Sequence, residues 1–283
     1  MEEQLIDDAV APMQDTGQAL RIKLVNRTNV CYLNSAALSI HWAGLLSGQS
    51  RESCFGRLQA PMRALSQYSS SAPFDIASSF LWRAALSGWG RLHSQQDAAE
   101  MLQHLLAFAR PPAYHGAWQA RIGTEAAPEI QESGLLTDLL SVPIAGSTLQ
   151  GTIDSWGTGD CVRALVGRPP ALLVLHLARF AEDGTKDSRR LQLSPGDQIA
   201  VPFFSDSGTD VIMRSYRIAS LVMHLGPTPR SGHYQSVHSE RTAGRWRFCL
   251  LDDNKLPRML KASEQDLISD NVYLIFLFRR ELA

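Results

Sequence analysis

Apolar residues fall at helical spacing in the first half of this chain and at strand spacing in the second. From Cys31 onward, Leu33, Ala36, Ala37, Ile40 and Gly44 recur every three or four positions, which predicts an amphipathic helix with Cys31 in its first turn. Residues 61–65 and 76–86 predict shorter helices. Ser94-Gln95-Gln96-Asp97 reads as a helix start capped by Ser94, ahead of a stripe of Ala98, Met101, Leu102, Leu105, Leu106 and Ala109. Pro111-Pro112 ends that helix. The character changes near Leu139. Residues 141–144 are strand-like and 148–156 predict a short helix. Residues 171–180, 216–225, 233–239, 245–251 and 271–279 then predict strands, separated by Gly, Pro, Ser or charged turns. Stretches 184–190 and 205–210 read as exposed loops. Helices followed by strands predict an α+β architecture, not an alternating one. The implied division is a polar leader over 1–20, a helical part over 21–140 and a β-rich part over 141–283.

Composition narrows the function classes. The chain has 283 residues, of which 45% are hydrophobic and 19% charged, enough for a sizeable core. A net charge of −1 gives no reason to expect nucleic acid or an anionic membrane as partner. No apolar run approaches the roughly 20 residues that cross a bilayer. The start, Met1-Glu2-Glu3-Gln4, lacks the layout of a signal peptide, so a cytoplasmic or nuclear location is expected. The four cysteines, Cys31, Cys54, Cys161 and Cys249, form no Cys-x-x-Cys pair. Structural zinc, a disulfide framework and a cofactor are therefore not expected. Cys54, Cys161 and Cys249 read as small buried hydrophobes.

Cys31 is different because of its neighbours. A cysteine at the first turn of a helix meets the positive end of the dipole and free backbone N–H groups, which favour its nucleophilic thiolate. Asn26, on the loop leading in, is placed to donate to an oxyanion. Downstream lie Gly232-His233-Tyr234 and Leu251-Asp252-Asp253, an imidazole and carboxylates of the kind that activate a thiol. The segment from Asn26 through Asn29, Cys31, Tyr32 and Asn34 to Ser35 resembles the nucleophile box of the ubiquitin-specific proteases. Thr28 stands where that family has glycine, which raises the question of the loop's turn geometry, and Val30 replaces a threonine. Residues 216–226 with Ser231-Gly232-His233-Tyr234, and Trp246 with Asp252-Asp253, are similar to the family's histidine box and closing strand. Pro169-Pro170 through His176 to Arg179-Phe180 resembles its Leu-His-Leu-Lys-Arg-Phe strand, in which His176 is a sheet residue.

The resemblance implies a papain-like cysteine protease fold, a helical thumb plus an antiparallel β palm. It implies Cys31 as nucleophile, His233 as general base, Asp252 as orienting acid with Asp253 an alternative, and Asn26 as oxyanion donor. His224 is expected to pack or to line the cleft. The plain reading of an exposed turn histidine is kept for His41, His93, His104 and His115. Gln95-Gln96-Asp97 with Glu100 resembles the family's substrate helix, where two carboxylates would grip the basic C-terminal tail of ubiquitin. Phe180 and Tyr234 would wall that tail, and Gly232 would leave it room. Only about thirty residues separate Leu140 from Ala171, with no zinc ligands, so the family's fingers subdomain is expected to be absent or reduced. The expected activity is hydrolysis after the C-terminal glycine of ubiquitin or a ubiquitin-like protein in its conjugates. The alternatives are an inactive ubiquitin-binding module and a papain-like protease of another protein.

Overall fold

The helix that opens at Cys31 is the centre of the fold. In the computed structural model, which describes residues 22–67, 72–124, 127–205 and 208–279, α1 (Cys31–Ser47) is buried at every position except Leu45. The amphipathic reading is thus corrected. α1 is enclosed on all sides, by other helices and by the sheet, as expected of a helix that is apolar all round. Two of its polar groups find partners on the sheet. Ser39 Oγ meets Ser236 Oγ at 2.9 Å, and the Trp42 indole N–H donates to the Ser239 carbonyl at 3.0 Å. The predicted leader lies outside the described residues.

Four further helices complete this half: α2 (Arg51–Phe55), α3 (Gln59–Gln67), α4 (Arg83–Leu86) and α5 (Ala98–Ala109). The cap of α5 is Asp97 and not Ser94. The Asp97 carboxylate accepts the Ala99 N–H at 2.6 Å, while Ser94 turns back to the Arg91 carbonyl. The helical part also ends earlier than predicted. β1 (Ala117–Thr124) and β2 (Ala127–Leu135) form a hairpin that belongs to the sheet.

The remaining elements follow as β3 (Leu140–Val142), α6 (Leu149–Gly157), β4 (Val162–Val166), β5 (Leu172–Leu177), β6 (Gln198–Phe204), β7 (Val211–Thr228), β8 (Ser231–Thr242), β9 (Arg245–Leu251), β10 (Arg258–Met259), α7 (Gln265–Asn271) and β11 (Val272–Phe278). The strands run in the order β10-β9-β8-β7-β6-β4-β1-β2, and β11 branches from β7 to reach β5 and β3. The pairs β3–β5 and β4–β6 are parallel, so the expected antiparallel palm is mixed at these two places.

Two cores sandwich the sheet. Leu172, Val174, Phe276 and Phe278 face α1 and its helical neighbours, while Leu173, Leu175, Ile275 and Leu277 face α6 and α7. That double burial explains why β5, apart from His176, and β11 read as apolar runs. Behind the sheet, fully buried Arg179 donates to the carbonyls of Asp187, Arg189, Ser269 and Val272, tying the loop after β5 to the end of α7. Cys54 and Cys249 are buried as expected, and Cys161 is partly exposed. His41 lies buried within α1, which corrects its reading as an exposed turn residue. Among the described residues no helix is long and apolar enough to cross a membrane.

Candidate active site

The loop before α1 is built around Asn26. Its side-chain oxygen accepts the Val30 N–H at 2.8 Å, and its amide donates to Asp253 Oδ2 at 2.7 Å. Held at both ends, the amide keeps one N–H uncommitted. The question raised by Thr28 has a local answer. The left-handed residue of this turn is Asn29, at φ 57°, and asparagine tolerates that region. Thr28 instead places its hydroxyl 2.8 Å from His93 Nδ1. Cys31 follows as the first residue of α1 and is only 1% exposed.

His233 enters from the start of β8, opposite Leu225 on β7. Gly232 before it sits at φ 131°, and a Cβ there would come within 2.3 Å of the Leu225 carbonyl oxygen and 2.7 Å of Gly226 Cα. The glycine is therefore required by the close approach of the protein's own β7. This replaces the expectation that it makes room for substrate.

His233 Nε2 lies 2.7 Å from Asp252 Oδ1 and 3.9 Å from Asp253 Oδ2. With Nε2 given to Asp252, Nδ1 is the nitrogen left for the Cys31 thiol. The neighbouring Cys31, with the bond to Asp252, raises the His233 pKa from 6.5 to about 9 against the opposing effect of burial. Burial pushes the Asp252 carboxyl up, but hydrogen bonds from Lys255, at 2.5 Å, and from His233 outweigh it and hold the acid below its ordinary value. Asp253 behaves oppositely. Burial holds it above the usual range although Asn34 and Asn26 both donate to it.

The pH dependence follows from the raised imidazole. Below its folded pKa His233 holds a proton that it can give to a leaving amine; above it the proton is lost. The alkaline limb of kcat/KM is expected near pH 9. In Asp252→Asn, with one of the supports removed, the limb should move toward neutrality. A pH–rate profile of both proteins checks this, and coincident alkaline limbs would contradict the assignment.

The expected substrate residues separate in the structure. Asp97 is 8% exposed, and its oxygens are engaged by the Ala99 N–H and by the Tyr273 hydroxyl at 2.7 Å. Its carboxylate is committed to the fold. Glu100, one turn along, is exposed and meets Arg230 at 2.9 Å. Tyr234 is fully buried, its hydroxyl donating to the Pro229 carbonyl at 2.6 Å, so it supports the cleft from within. Phe180 is partly exposed and packs edge-on against His224 and Tyr273, at 5.4 and 5.8 Å between ring centroids. Burial pushes the His224 pKa down to about 4, leaving that ring neutral at physiological pH, a packing residue as expected. Tyr273, Asn34 and Lys255 were not singled out by the sequence. The only signal available for Asn34 was its place in the nucleophile box. His233, Asp252 and Asp253 bring metal-ligating atom types within 4.8 Å of one another, and their hydrogen bonds already account for the grouping.

A sequence model of the family described as ubiquitin carboxyl-terminal hydrolase matches residues 22–277, a span that contains Asn26, Cys31, His233 and Asp252. The chain belongs to that family. Among curated proteins it is similar to ubiquitin carboxyl-terminal hydrolase 36 of Drosophila simulans, with 26% identity over 109 residues, 38% of this chain and 10% of the relative. The same protein of Drosophila grimshawi is 28% identical over 110 residues, 38% of this chain and 8% of the relative. The chain thus spans about a tenth of the length of these relatives. Among solved structures it resembles the SAGA DUB module Ubp8/Sgf11/Sus1/Sgf73 bound to monoubiquitin, with a TM-score of 0.61 at 17% identity over 98% of this chain and 74% of that one. A second structure of the module gives 0.60 at 18% identity, covering 96% and 71%. At such identity the likeness speaks to the fold, and it supports the α+β, papain-like expectation.

Proposed function

We propose that this chain is a thiol-dependent ubiquitinyl hydrolase, cleaving the peptide or isopeptide bond after the C-terminal glycine of ubiquitin or a ubiquitin-like modifier. The observation that carries the reading is the His233–Asp252 hydrogen bond beside Cys31, in a chain of this family. The Cys31 sulfur attacks the glycine carbonyl carbon while its proton resides on His233. Asn26, with its spare N–H, stabilises the oxyanion. Collapse of the tetrahedral intermediate breaks the C–N bond, and His233 delivers its proton to the departing amine. Water, deprotonated by His233, then hydrolyses the thioester and restores the thiol. Asp252 holds the imidazole in place.

Glu100 is the exposed carboxylate of the α5 helix start, and we assign to it the grip on the basic tail. Asp97 acts through the fold, by capping α5. Phe180 offers a partly exposed aromatic wall. The β1–β2 hairpin, whose outer strand carries exposed Ile130 and Leu135, forms one end of the sheet.

One observation favours a second reading. Cys31 is 1% exposed, as it could be in a ubiquitin-binding module without turnover. Ubiquitin carrying a thiol-reactive group at its C-terminus separates the two. Covalent labelling that disappears in Cys31→Ala is the expected result. Tight binding without labelling would leave the binding module as the better reading, and neither binding nor labelling would point to a protease of another protein.

A further inference from the structure

Glu100 is already occupied. Arg230, in the turn between β7 and β8, donates from Nη2 to both of its carboxylate oxygens, at 2.9 and 3.2 Å. The two residues are 130 positions apart and reach each other only because the β7–β8 turn leans onto α5. The turn is held in that posture. Thr228 and Ser231 share a hydroxyl contact at 2.8 Å, and Tyr234 donates to Pro229, next to Arg230. Tyr234, which anchors this turn, follows His233 directly, so the clasp and the imidazole share one hairpin. Gly232 and His233 follow Arg230 by two and three residues.

On the reading of Glu100 as the acceptor of a basic tail, we infer that Arg230 is a specificity-determining residue, an internal arginine that holds the Glu100 carboxylate until a substrate arginine displaces it. Both atoms of the exchange are on the surface, since the Arg230 side chain is 64% exposed and that of Glu100 48%. Exchange therefore requires no unfolding. It does impose a cost on every productive encounter, because one guanidinium–carboxylate pair must break for another to form. A tail without arginine cannot make that replacement and faces a clasped cleft edge. Displacement also leaves the number of ion pairs unchanged, so this step should contribute little salt dependence to substrate binding. Without Arg230 a pair is gained outright, and the gain must be screened by salt.

The test is steady-state hydrolysis of ubiquitin joined at its C-terminus to a fluorogenic amine, by the wild-type chain, Arg230→Ala, Arg230→Lys, Glu100→Gln and the double variant Arg230→Ala/Glu100→Gln. At low salt Arg230→Ala is expected to lower KM about two- to fivefold, the range of an exposed ion pair, with kcat unchanged. Arg230→Lys, which keeps the pair, should resemble wild type. The gain should vanish in the Glu100→Gln background and shrink as salt approaches about 0.5 M, where exposed charges are screened. An unchanged or raised KM in Arg230→Ala overturns the inference. So does an equal gain when Glu100 is absent, which would mean a loosened hairpin and no competition. If the wild-type chain fails to hydrolyse ubiquitin at all, the proposed function itself fails and this inference goes with it. Hydrolysis with no Glu100-dependent gain sinks the competition alone.

Discussion

Replacing His233 with alanine is expected to lower kcat for ubiquitin cleavage by roughly 10⁴-fold or more, the scale seen when a general base is removed from a nucleophile–base pair. The imidazole stands between the two other groups, its pKa raised by Cys31 and its Nε2 2.7 Å from Asp252. Its loss removes the proton acceptor for the thiol and the proton donor for the leaving amine. Asp252→Ala should be milder. Asp253 Oδ2 stands 3.9 Å from the same ring nitrogen and can take a share of its orientation. The ordering His233→Ala below Asp252→Ala in kcat is thus part of the expectation. It is measured by single-turnover hydrolysis, with thermal unfolding confirming that both variants fold. Retention of more than about one hundredth of wild-type kcat in His233→Ala would remove the imidazole from the proton path, since general acid–base catalysis alone is typically worth 10²–10⁴.

Most of this line was legible in the sequence because each member sits in a short local pattern. Cys31 precedes a helical stripe, His233 follows a glycine, and Asp252 ends a strand. The strands β5 and β11 were legible for a related reason, since runs buried on both faces are mostly apolar. Local pattern failed where the deciding contact was distant. β1 and β2 form the outer end of the sheet, and β2 is mostly exposed, so neither carries a clean alternation. Ser94 has the right chemistry for a cap, yet Asp97 takes the position, and the Tyr273 hydroxyl that also binds Asp97 is 176 residues away. The same distance hides the Glu100–Arg230 pair. It also hides Asp253, which reads in the sequence as a duplicate of its neighbour and has a different job in the fold.

That job sets the second large effect. Asp253, in the left-handed region at φ 46°, commits both carboxylate oxygens to hydrogen bonds from α1 and the loop before it. Its Oδ2 accepts from Asn26 at 2.7 Å, its Oδ1 accepts from Asn34 at 2.8 Å, and its carbonyl accepts the Leu24 N–H at 2.9 Å. One residue thereby joins the turn after β9 to the loop before Cys31 and to the first turn of α1. Asn26 can aim its remaining N–H at an oxyanion only while its other N–H is held. Asp253→Ala is therefore expected to lower kcat by about 10²–10³-fold, as loss of one oxyanion donor does, with a smaller change in KM. Asn26→Ala should give a similar loss. Because both act through the same donor, the double variant should be little worse than either alone. Asp253→Asn, which keeps one acceptor, should fall between Asp253→Ala and wild type. A double-mutant cycle on kcat decides the matter. Losses that multiply would mean that Asp253 works through the imidazole after all, and a Cys31–His233–Asp252 line with a separate Asn26–Asp253 support would have to be abandoned for a site with two orienting acids.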